Sequence, residues 1–185
     1  MKLEEAIRKI ESKDPAIGIG TAAGASGVLA ARLVIKAAKK SNLPELQKEA
    51  EKKKKNLVRL INEDMKAFKN YMTAYKTKDD KKIQDALKYA IEIPIKIAEE
   101  SYELMQIADN TFHKGKKSMV LEIYGAASLC KTSIQSATEI AKLNLEDIKD
   151  KQYKKKMDTV RFQLKFKAEH KEQMMYTTVK NYLYK

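Results

Sequence analysis

Two carboxylates stand where a carboxylate is costly. Leu57, Ile61, Asp64, Phe68, Met72 and Tyr75 recur at steps of 4, 3, 4, 4 and 3, the spacing that puts side chains on one face of a helix. Asp64 is the only acid on that stripe, so it faces a core or a cleft. A carboxylate short of water needs a partner, or its pKa rises towards the range useful for proton transfer near neutral pH. Asp64 therefore reads either as a group bonded to a lysine or a helix end, or as the acid–base group of a functional cleft. Glu122 poses the same alternative. Between Ser118 and Thr138 the only charges are Glu122 and Lys131, and Glu122 shares a face with Met119, Ala126, Leu129 and Ser133. Two internal carboxylates in one site would push their pKa values apart, giving one acid and one base. Two separate internal salt bridges are the structural alternative.

A third feature is Gly18-Ile19-Gly20-Thr21-Ala22-Ala23-Gly24. It has neither the preceding strand nor the spacing of a dinucleotide fingerprint. Glycines ahead of a helix leave backbone N–H groups open to an anion. Further on, Gly20/Gly24, Ala23/Gly27 and Gly27/Ala31 are small residues four apart, a pattern that lets two helices approach closely, within one chain or between two copies. The other reactive side chains carry less. His113 sits beside Lys114 and Lys116 near a helix end and reads as solvated or capping. Cys130 reads as a small core residue. One cysteine and two distant histidines, His113 and His170, exclude a disulfide framework and a metal cluster of those ligands.

The elements that position these residues are helical. The chain has 185 residues, with 43% apolar and 34% charged side chains, enough for one domain with a real core. Six glycines and three prolines are too few for the turns of an all-β fold. The pattern predicts a short amphipathic helix over 2–12, a small-residue helix from Thr21 to Lys40 and a long helix from Pro44 to Lys76. Two pieces follow, Asp79 to Ile93 and Pro94 to His113, joined at a proline kink. A weakly charged helix from Ser118 to Leu145 and a Lys-rich one from Asp150 to Tyr182 complete the chain. The expected fold is all-α, a single domain over 1–185 built as a bundle of six or seven helices.

The net charge is +13, but arginine appears only at Arg8, Arg32, Arg59 and Arg161. Lysine is the usual cation of a solvated surface and arginine the usual reader of phosphates and bases. The balance reads first as surface; nucleic acid is not the expected partner, and a small polyanion is the next reading. Ile17 to Ala31 is uncharged yet shorter than a bilayer requires, and acids precede it where a signal peptide carries bases. A cytoplasmic protein without a membrane span is expected.

The order of these features resembles the formiminotransferase-cyclodeaminase and methenyltetrahydrofolate cyclohydrolase family. The family's Pro-Thr-Pro-Gly-Gly-Gly-Ser loop corresponds to Pro15-Ala16-Ile17-Gly18-Ile19-Gly20-Thr21, and its Ala/Gly-rich helix to Ala22–Leu33. Its Asp-x-x-Ala-Phe motif is similar to Asp64-Met65-Lys66-Ala67-Phe68, its Pro-Leu-x-Ile-Ala-Glu stretch to Pro94-Ile95-Lys96-Ile97-Ala98-Glu99, and its closing Ile-Asn-Leu to Leu143-Asn144-Leu145. Other positions depart: a Ser-Asp pair falls on Leu121-Glu122, and an asparagine four residues before Asn144 is Ile140.

The resemblance implies an all-helical cyclodeaminase-like fold, a homodimer or higher homo-oligomer, and a folate-type small molecule as substrate, with no further cofactor and no metal. It implies hydrolysis of methenyltetrahydrofolate, with Asp64 and Glu122 as the catalytic carboxylates. Gly18, Gly20, Thr21, Phe68 and Asn144 are implied as substrate-binding residues. Cyclohydrolase is preferred over formiminotetrahydrofolate cyclodeaminase because no formiminotransferase domain accompanies the sequence. A folate-binding protein that has lost the chemistry is the alternative, and a basic nucleic-acid-binding helical protein the more distant one.

Overall fold

Local caps set the helix ends. In the computed structural model, which describes Glu5 and residues 8–183, helix α1 runs over Ile19–Lys40. It closes at Asn42, whose φ is 58°, with Leu43 N donating to Ala38 O at 3.0 Å; asparagine tolerates that left-handed turn better than most residues. Helix α2, Pro44–Lys76, opens with proline where no N–H is needed and an acid, Glu45, in its first turn. Helix α3, Asp80–Lys114, is capped by Asp79, which accepts from Lys81 N at 3.0 Å and Lys82 N at 3.2 Å. A 3-10 turn, Lys117–Met119, leads into α4, Val120–Leu145. Helix α5, Lys151–Leu183, starts at Asp150, which accepts from Tyr153 N at 3.0 Å.

The fold is all-α, with no strand among the described residues. Five long helices stand among the described residues. The expected helix over 2–12 lies partly outside the described residues. The two expected pieces around Pro94 are one helix, α3, with the proline inside it. A proline removes one hydrogen bond from the ladder, and burial of α3 on both sides of it outweighs that loss.

Helices α1 and α2 run antiparallel in close contact, and the glycines make that possible. A Cβ on Gly20 would lie 2.0 Å from Asp64 Oδ2, on Gly24 2.4 Å from Ile61 Cγ1, and on Gly27 3.0 Å from Leu57 Cδ1. As the number on α1 rises, its neighbour on α2 falls, which is the signature of the antiparallel pair. The small-residue stripe is thus used inside the chain. On its other flanks α1 packs against α4 and touches α3. It is the one helix among the described residues long and apolar enough to cross a bilayer, since it continues past Arg32 and Lys36; 56% of its most apolar stretch is buried in the bundle, as befits a core helix.

Leu57, Leu60, Ile61, Ile93, Ile97, Leu104, Met105, Ile123 and Ile134 are the large side chains of the main core. Cys130 is wholly buried there, and burial pushes its thiol pKa well up. Ser101 and Ser133 share a hydrogen bond of 2.8 Å across α3 and α4. A smaller core of Leu87, Ile91, Ile95, Leu145, Ile148 and Met157 lies where α3, α4 and α5 meet. Helix α5 is pinned to α4 by Glu172, which is 6% exposed. Its carboxylate accepts from Lys131 at 2.7 Å and from Tyr124 at 2.9 Å.

Candidate functional site

A cleft of about 280 Å³ opens where the first turn of α1, the middle of α2 and the last turns of α4 converge. Pro15, Ala16, Gly18, Ile19 and Gly20 come from the loop and start of α1; Asp64, Ala67, Phe68 and Tyr71 from α2; Ala90 from α3; Ile140, Leu143 and Asn144 from α4. The wall is mostly apolar, and Asp64 is the only carboxylate that lines it.

Asp64 is half-buried and makes no hydrogen bond or ion pair among the described residues. Its carboxyl pKa is pushed up from 3.8 to about 6, and burial is the whole cause. The carboxylate rests on the backbone of Gly20, so any side chain at position 20 collides with it. At the same corner Gly18 is the N-cap of α1 and no side chain caps the helix. The first helical bond runs from Ala22 N to Gly18 O at 3.0 Å. The N–H groups of Ile19, Gly20 and Thr21 therefore have no partner inside the helix.

Of the residues singled out in the sequence, Asp64, Gly18, Gly20, Phe68 and Asn144 converge on this cleft. Thr21 is fully buried and is not part of its wall. Glu122 lies elsewhere. It sits in the first turn of α4 and pairs with Lys36 at 2.9 Å, with 24% of its side chain exposed. That ion pair, more than anything else, holds its carboxyl below the usual range. Along α1, Lys36 is sixteen residues from Gly20, or ~24 Å at the helical rise, so Glu122 shares no site with Asp64. The sequence reading placed Glu122 away from water because its own helix has few charges; the lysine that solvates it stands on a different helix.

The stripe through Asp64 also leaves the core sooner than its spacing implies. Met72 and Tyr75 are 40% and 60% exposed. Tyr71 takes the place in the cleft expected of them. Steps of 3 and 4 from Asp64 through Ala67 reach it, so its signal was present in the sequence. Ala90 carried no such signal, since a small side chain looks the same in a core and at a cleft; Ile19, Ile140 and Leu143 fell on family-like segments without being singled out as site residues.

The cleft combines one ionisable carboxylate, mostly apolar walls and helix-end N–H groups. At neutral pH a group with a pKa of about 6 is mostly ionised yet easily protonated, so it can take a proton and return it. In apolar surroundings its negative charge also acts strongly on a nearby cation. A helical bundle with a half-buried, partnerless carboxylate against the glycine-opened first turn of α1 defines the class. The chain belongs to the formiminotransferase-cyclodeaminase family, whose sequence model matches residues 2–161. Among solved structures it is similar to the crystal structure of formiminotetrahydrofolate cyclodeaminase from Thermotoga maritima. The two are 23% identical with a TM-score of 0.86, over 99% of this chain and 96% of that one; at that identity the likeness shows the fold. No match was found among curated proteins.

Proposed function

We propose that this chain is a folate one-carbon enzyme that hydrolyses methenyltetrahydrofolate to formyltetrahydrofolate, with Asp64 as its catalytic carboxylate. One observation carries this reading: a partnerless carboxylate with a pKa of about 6 in an apolar cleft. The substrate's bridging carbon lies between two nitrogens and shares a positive charge. Ionised Asp64 favours that cation in the cleft and takes a proton from the water that adds to the carbon. The same carboxyl then hands its proton to the ring nitrogen as the carbon–nitrogen bond breaks, and the remaining hydroxyl proton leaves to solvent. Cation and water thus become a neutral formyl product and one released proton. Glu122 is too far away for the second role assigned to it from sequence, so Asp64 serves both steps. Phe68 and Tyr71 from α2 and Ile140 and Leu143 from α4 supply apolar surface for a flat ring. The open N–H groups at the start of α1 favour the ionised form of Asp64 or an anionic group of the substrate near it.

The name of the solved relative favours a second reading, the cyclodeaminase reaction. There, protonated Asp64 would deliver the proton with which ammonia leaves the formimino group. The two separate on one spectrum. Purified protein mixed with methenyltetrahydrofolate should speed the loss of its near-ultraviolet band over the spontaneous rate. Formation of that band from formiminotetrahydrofolate would instead support the deaminase. Tight folate binding with neither change would leave a pocket without its chemistry.

We also propose that the protein works in the cytoplasm as a homodimer. Ile19, Leu29 and Leu143, the first two on α1 and the last on α4, are 60%, 46% and 67% exposed. These exposed apolar side chains are the surface that a second identical copy would cover.

A further inference from the structure

Pro94 is buried inside α3. Proline has no N–H, so the carbonyl four residues earlier, that of Ala90, has no partner in its own helix, and the ring crowds that carbonyl outward. Asn144 meets it: its Nδ2 donates to Ala90 O at 2.9 Å, from α4 across to α3. Only the amide's NH2 can donate to a carbonyl, so Asn144 Oδ1 is turned away from Ala90. That oxygen has no partner among the described residues, and Asn144 and Ala90 both line the Asp64 cleft.

We infer that Pro94 is a positioning residue: by freeing the Ala90 carbonyl it clamps the Asn144 amide, so that Oδ1 stands in the cleft as a fixed acceptor for an N–H of the ligand. This rests on the reading of the cleft as a folate site and sharpens it. Ionised Asp64 and clamped Asn144 both accept, so the cleft selects a ring that offers N–H groups or positive charge. A ring presenting lone pairs at both places is rejected, because each would face another acceptor.

Three variants test the clamp: Pro94→Ala, Asn144→Ala and the two combined. Alanine at 94 restores the helical N–H, so Pro94→Ala should melt no lower than the parent. It should raise the KM for methenyltetrahydrofolate about tenfold with kcat within about twofold, the loss of one hydrogen bond. Asn144→Ala should do the same, and the double variant should match Asn144→Ala alone. Additive effects, or an unchanged KM in either single variant, overturn the proposal. A second arm needs no turnover. In the ligand-free protein the Asn144 side-chain NH2 should exchange with solvent about tenfold more slowly than in Pro94→Ala, by nuclear magnetic resonance. Equal exchange overturns the clamp; slow exchange in a protein that turns over no folate keeps the clamp and sinks the folate reading instead.

Discussion

At the scale of single residues, Asp64 has its proton affinity set by position. An aspartate in the unfolded chain titrates near 3.8, and this one titrates at about 6 in the fold. Between those values the folded state keeps a proton that the unfolded chain has released, so stability falls as pH rises from about 4 to about 6. The full difference is worth at most about 3 kcal/mol. Asp64→Asn, neutral at every pH, should therefore gain on the parent above pH 6 and show no gain near pH 4. Urea unfolding at pH 4 and pH 8 reads this directly, and an equal gap at both would contradict it. The rate of the parent enzyme should carry an acid limb centred at about 6, as the base becomes protonated. The same carboxylate depends on Gly20. In Gly20→Ala the new methyl occupies the space of Oδ2, and turnover should fall at least ~10-fold while the fold persists. An unchanged rate would mean the carboxylate is not held where it acts. Asp64 was legible in the sequence because one acid on an apolar stripe has few places to go. Glu122 was misread because an ion pair between helices leaves no trace in the spacing of either one.

Among the elements, α1 and α2 form the frame of the site, and their contact is made by glycines. Gly24→Ala puts a methyl 2.4 Å from Ile61 Cγ1, away from the cleft, and should cost about 1–3 kcal/mol of stability with little change in KM. Helix α5 is attached differently. Lys131 and Glu172 form a largely buried pair, and Lys131→Ala leaves a buried carboxylate without its cation. A loss of about 3 kcal/mol is expected, as a lower urea midpoint; a loss near zero would show that Tyr124, with Ser128 Oγ donating at 3.3 Å, suffices to hold Glu172. Helix positions were readable from the sequence to within a few residues, since caps such as Pro44, Asp79 and Asp150 sit at real boundaries. The break at Pro94 was not one. A buried proline stays within a helix when neighbours cover both halves, and Asn144, fifty residues further along the chain, is what takes up the freed carbonyl.

For the whole molecule, the all-α class followed from composition and periodicity, and the cleft is where three of the legible motifs meet. Lysines such as Lys53, Lys131 and Lys171 are engaged with acids. The glycine stripe, which suggested a dimer seam, is used against α2. The face proposed for a second copy is the exposed apolar surface of Ile19, Leu29 and Leu143. Light scattering at micromolar concentration should give twice the 21.1 kDa chain mass, and Leu29→Lys should halve it; a monomeric parent would remove the dimer from the account.

The most direct test of the central claim is the rate of methenyltetrahydrofolate loss with the parent protein and with Asp64→Asn, both at pH 7.5. The account predicts clear acceleration by the parent and a fall of at least ~100-fold in the variant, with folate binding retained. Undiminished turnover by Asp64→Asn would contradict it.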